Sequence, residues 1–81
     1  MLELLKNRQK VVGIKQTRKA AEQERLEAVF FANDADQRMV GQLRKLCEEK
    51  GIQLHTVESM KQLGKAAGID VSAAVVGILK N

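Results

Sequence analysis

The sequence predicts an α/β fold, a four-stranded sheet carrying helices on both of its faces. Three observations predict it. Extended and helix-forming segments alternate in the order β-α-β-α-β-α-β, the pattern of a sheet wrapped by its own connections. The strand candidates are continuously apolar rather than alternating, so both of their faces must be covered. Capping residues and glycines fall between the segments, where helices have to start and stop.

Residues 2–8 read as a short helix ahead of this alternation, held by Leu2 and Leu5. Residues 10–14, KVVGI, are a β-branched run containing a glycine. The helix formers of residues 15–25 follow, with Thr17, Ala20 and Ala21 on one side and Lys15, Arg18, Lys19 and Glu22 on the other. EAVFFA, residues 27–32, is an unbroken apolar strand. Asp34-x-x-Gln37 has the form of a capping box. It would open a helix whose Met39, Val40, Leu43, Leu46 and Cys47 make one apolar stripe, stopped at Gly51. IQLHTV, residues 52–57, is the next extended piece. Ser59-x-x-Gln62 is a second capping box, before a short helix that buries Met60, Leu63 and Ala67 and stops at Gly68. AAVVGIL, residues 73–79, is the last strand.

Bulk properties narrow the function. A chain of 81 residues makes one domain with a modest core, burying roughly 60–65% of its unfolded surface. Its 44% hydrophobic and 30% charged residues are a globular composition. No apolar run approaches the roughly 18 residues of a membrane span, so no membrane partner is expected. The first ten residues have the wrong charge order for a secretory signal. One cysteine cannot form an internal disulfide, and a reducing cytoplasm is the expected location. The net charge of +4 and pI near 9.5 favour nucleic acid as partner. With no Trp, no Tyr and only two adjacent Phe, an aromatic platform for stacking bases is excluded.

Two stretches carry the candidate chemistry. In GIKQTRKA a strand ends at Gly13 and a helix begins at once, bringing Lys15, Arg18 and Lys19 into its first turns. Cations there oppose the helix dipole, and Lys15 and Lys19 repel each other across one turn. A bound phosphate would turn each of these costs into a gain; a solvated cationic face is the plain alternative. In KQLGKAAGIDVS, Lys61 and Lys65 form a second basic strip beside Ile69 and Val71, two branched apolar residues in a connection. They either seal the core or await a partner. A phosphate-loop reading of Gly64-Lys65 fails, because the upstream Gly and downstream Ser/Thr are missing. Gly64 is expected to permit close helix packing instead.

The other candidates point away from catalysis. His55, the only histidine, is expected on an exposed strand face, and Cys47 in the core. Asp34 and Asp36 read as helix caps rather than an acid/base pair. No catalytic triad, metal spacing or dinucleotide fingerprint is present, so neither cofactor nor metal is expected.

Together these stretches resemble the small kink-turn RNA-binding proteins, the family of the archaeal L-seven-Ae and eukaryotic L-thirty-e ribosomal proteins. Its members share a strand-loop-helix of form G-x-N-E-x-x-K, an A-x-D strand end, and a late LGKAAG followed by a short apolar loop. The corresponding stretches are GIKQTRK at 13–19, FFANDAD at 30–36 and LGKAAGIDVSAAVV at 63–76. The resemblance covers almost the whole chain from Val11 onward. It is nearest to the bacterial YbxF-type subgroup, where Lys-Gln replaces Asn-Glu as in Lys15-Gln16.

The resemblance implies a three-layer α/β/α sandwich around a small mixed four-stranded sheet. It implies that the sandwich grips a kink-turn, an RNA helix sharply bent at tandem sheared G·A pairs. By position Lys15 stands for the family's Asn, Gln16 for its Glu and Lys19 for its Lys. Gln16 and Lys19 would then address guanine edges and Lys15 a phosphate or base. Gly13 and Arg18 belong to the same motif and Asp34 to the A-x-D strand end, so the resemblance implies that these three also belong to the RNA-binding site. Ile69 and Val71 would pack on an unstacked base and ribose, with Asp70 setting the loop and Lys65 on the RNA backbone. Lys in place of Asn shifts weight from base reading to charge, so binding should be more salt-dependent.

The expected partner is therefore structured RNA containing a kink-turn, with the ribosome as one candidate host and the protein a monomer. Two rivals stay open. One is an RNA-recognition module serving an enzyme on a second polypeptide; the other is a protein-interaction module using the Ile69–Val71 loop on a groove.

Overall fold

The computed structural model describes residues 9–80; the helix expected over residues 2–8 lies outside them. The chain runs β1 (Lys10–Val12), α1 (Ile14–Glu22), β2 (Leu26–Ala32), α2 (Gln37–Glu49), β3 (Gln53–Val57), α3 (Met60–Ala66) and β4 (Val75–Leu79). In the sheet the order is β1-β4-β2-β3. β2 and β3 pair in parallel across the α2 crossover, whereas β4 returns antiparallel between β1 and β2. The two continuously apolar strands are thus the two central ones. All of β4 is buried and all of β2 except Glu27, while the edge strand β3 exposes Gln53 and Thr56.

Register assigns the faces. Val29 pairs with Gly77 and Phe31 with Val75, so these four point to one side. α1 and α2 lie on that side. A β-carbon at Gly77 would come 3.1 Å from the Thr17 methyl of α1, and Arg44 of α2 stands 4.9 Å over the Phe31 ring. Phe30 and Val76 point the other way and are fully buried, covered by α3, which packs on β2, β3 and β4. The result is the expected α/β/α sandwich around a mixed sheet.

Three expectations are corrected. Met39 is 58% exposed, because the buried line of α2 is Val40, Leu43 and Cys47 and Met39 sits in the first turn on its flank. The cap of α2 is Asp36, not Asp34: the Asp36 carboxylate accepts from Arg38 N at 2.9 Å. Gln37 donates instead to Ala35 O at 2.8 Å. His55 is not on an open face but half-buried, its ring stacked 4.8 Å from Phe30. The Ser59 cap falls where expected, accepting from Gln62 N at 3.1 Å.

Candidate nucleic-acid interface

Topology brings the separate candidate stretches to one end of the sheet. β1, β2 and β3 run in the same direction and β4 opposes them. The exits of the first three strands therefore share an edge with the entry to β4. Gly13 N–H donates to Val75 O at 2.9 Å, Ala32 N–H to Ala74 O at 3.0 Å and Asn33 N–H to Val57 O at 2.8 Å. The start of α1, the β2–α2 loop and the connection from α3 to β4 are thus laced together by backbone.

At α1 the junction is abrupt because Gly13 has φ 99°, a left-handed value that a side chain would strain. Its carbonyl already accepts the first helical bond, from Thr17 N at 3.0 Å. The helix has no side-chain cap and no acidic residue in its first turn. Thr17, Ala20 and Ala21 are buried on the sheet, which leaves Lys15, Gln16, Arg18 and Lys19 exposed. Lys15, Gln16, Lys19 and Glu22 line a shallow depression along that face. Arg18 also turns towards α2, donating to Gln42 Oε1 at 3.1 Å. There it borders a groove with Ile14, Arg38 and Met39.

The late loop answers why apolar residues occupy a connection. α3 ends in a Schellman motif: Gly68, at φ 79°, donates to Lys65 O at 3.1 Å, and Ile69 N–H to Gly64 O at 3.1 Å. That motif wants an apolar residue just beyond the glycine, and Ile69 is half-buried against the core. Val71 is the opposite case. It is 69% exposed, beside Asp70, Lys61 and Lys65 around a second depression. Ile69 lines the same depression, so the two branched residues differ in burial, Ile69 half-buried and Val71 in solvent.

Two residues act here in ways the sequence did not reveal. A β-carbon on Gly64 would collide with Val71 O and stand 3.0 Å from Ser72 Cα, so loop backbone, not another helix, is what approaches it. Asp34 accepts from Met60 N at 2.7 Å, 26 residues along the chain. It therefore caps α3 rather than α2. A cap spanning that distance has no local spacing signal. Arg38 was also missed, a 93% exposed side chain lying 3.6 Å from Asp36, a surface pair worth little by itself.

Burial pushes the Cys47 thiol up, away from the thiolate that reactive cysteines need. Among the described residues no three His, Cys, Asp or Glu side chains gather as a metal site, and no helix is long and apolar enough to cross a membrane.

The chain is similar to known proteins. A model of the ribosomal protein L7Ae/L30e/S12e/Gadd45 family matches residues 2–81. An RNA-binding protein of Halalkalibacterium halodurans is 49% identical over 70 residues, which are 86% of this chain and 85% of that protein. An RNA-binding protein of Bacillus pumilus is 44% identical over 69 residues, covering 85% and 84%. Among solved structures, the Giardia lamblia 15.5kD RNA binding protein superposes with a TM-score of 0.89 at 29% identity. That match covers 99% of this chain and 71% of the other.

Proposed function

The chain belongs to the ribosomal protein L7Ae/L30e/S12e/Gadd45 family, and from that premise we propose that it is a non-enzymatic RNA-binding protein that stabilises kink-turns. One observation carries the reading. The uncapped, cationic first turn of α1 and the exposed Val71 loop stand at the same end of the sheet. A duplex offers phosphates and groove edges to the first; only a nucleotide pulled out of the stack offers an apolar face to the second. A kink-turn presents both within a few base pairs.

In this reading Lys15 and Lys19 meet phosphates and guanine edges around the sheared G·A pairs. Gln16 reads a base edge, which its side-chain amide can do as both donor and acceptor. Val71 packs on the unstacked nucleotide, and Lys65 contacts its backbone. The free amides at the start of α1 favour the same anions. Gly13 serves by its backbone alone. The protein needs no chemistry to act: the bent RNA is a minor conformer at low divalent ion, and binding that conformer selectively shifts the population. A cytoplasmic monomer suits this role, with the ribosome as one host for the RNA.

The test is a fluorescence-transfer titration of a doubly end-labelled kink-turn duplex without magnesium. Its control is the same duplex with the G·A pairs changed to Watson–Crick pairs. Tight bending of the first with weak binding of the second is expected. Equal, salt-sensitive binding to both would leave only a basic surface.

A further inference from the structure

Four acids stand at the end of the sheet that this reading turns towards RNA: Asp34, Asp36, Glu58 and Asp70. A carboxylate facing a polyanion weakens binding unless it does something else. Asp36 is the cap of α2. Asp34 has a different task, visible in what its bond connects.

Met60 is the first residue of α3, and its two backbone groups point to two different loops. Its N–H donates to the Asp34 carboxylate at 2.7 Å. Its carbonyl accepts from Ala73 N at 3.1 Å, where the late loop rejoins the sheet. The loop's middle is held on α3 as well, since Val71 O and Ser72 Cα cross the helix at Gly64. α3 has only seven residues, too few to hold its own geometry without outside bonds. Ser59 satisfies one orphan amide at Gln62 and Asp34 another at Met60. A polar chain therefore runs from the β2–α2 loop, through Met60, to the loop that presents Val71.

We infer that Asp34 is a positioning residue: by holding Met60 it sets where α3 carries the Val71 loop, and it does not itself contact RNA. The RNA consequence rests on the function proposed above; the placement of the loop does not. A direct contact and a positioning role predict different behaviour of the two neighbouring substitutions. Asp34→Asn keeps an oxygen acceptor for Met60 N–H and removes the charge. Asp34→Ala removes both.

Amide hydrogen exchange of the free protein and kink-turn titrations over a range of salt test this. Exchange at Met60 and Ala73 should quicken in Asp34→Ala and stay near parental in Asp34→Asn. Asp34→Ala should bind about tenfold more weakly and Asp34→Asn at least as tightly as the parent. The slope of log affinity against log salt should be the same in Asp34→Asn as in the parent, because no phosphate contact is lost there. Tighter binding by Asp34→Ala would mean the carboxylate only repels RNA. Equal loss in both variants would mean that its charge touches RNA. Either outcome overturns the inference, as would unchanged exchange at Ala73 in Asp34→Ala. Should Asp34→Ala not fold, Asp34→Asn decides alone: parental binding upholds positioning and lost binding overturns it. If the parent itself does not bend the RNA, the proposed function falls, and exchange at Met60 and Ala73 still judges the positioning.

Discussion

Replacing Gly64 by alanine sets two effects of opposite sign against each other. Gly64 lies inside α3, and a solvent-facing helical glycine replaced by alanine gains about 1 kcal/mol of helix propensity. Here the new methyl would collide with Val71 O and lie 3.0 Å from Ser72 Cα and 3.1 Å from Val71 C. All three are backbone atoms, which cannot swing aside as a side chain tip does. The loop must move away from α3 as a unit, a strain of the kind that costs about 1–3 kcal/mol. The net change is then a loss of about 1 kcal/mol. Urea unfolding is the assay, and at a slope near 1 kcal/mol per M the midpoint should fall by about 1 M. Gly41, on α2, is the control. A β-carbon there meets nothing within 4 Å, so Gly41→Ala should raise stability by up to about 1 kcal/mol. The same displacement of Val71 should weaken kink-turn binding by Gly64→Ala and not by Gly41→Ala. If both variants were stabilised alike, the close approach of loop and helix would be refuted.

Lys15→Ala and Lys19→Ala should each weaken RNA binding and lower the salt slope by about 1, which titrations at several salt concentrations measure. Gln16→Ala should instead reduce the preference for G·A over Watson–Crick duplexes, by about 1–3 kcal/mol, at unchanged slope. Val71→Ser should leave stability within about 0.5 kcal/mol, as for exposed positions, while weakening RNA binding; Ile69→Ser, half-buried, should lower the unfolding midpoint clearly more. Cys47 has its folded pKa raised by burial above an ordinary unfolded value. It therefore contributes stability that is fully present below the unfolded value and is lost as pH rises towards the folded one. Unfolding followed across the alkaline range should show that decline in the parent and not in Cys47→Ala.

The order of elements was legible because each has a local cause. The apolar runs at 27–32 and 73–79 predicted buried strands, and they became the two central ones. Ser59 and Gly68 marked the ends of α3 by rules that act within a single turn. Met39 misled because a stripe read from apolar spacing does not say where the helix begins. Once Asp36 is the cap, Met39 falls on the flank of the first turn, out of reach of the sheet. Asp34 misled for the same reason in reverse, since its spacing to Gln37 suits a box that the backbone does not make.

What the sequence determined alone is therefore whatever depends on neighbours within a few residues: the helices, the strands, the glycine turns and the cationic first turn of α1. What the tertiary structure decided is everything that pairs distant segments. The antiparallel return of β4 between β1 and β2 placed the start of α1, the β2–α2 loop and the late loop at one end. Packing then separated Ile69, drawn towards the core, from Val71, left in solvent two residues later. Composition cannot separate those two branched side chains. The turn at Gly68 draws Ile69 back towards the core, and the loop backbone then crosses α3 at Gly64, where no side chain intervenes, with Val71 left facing out.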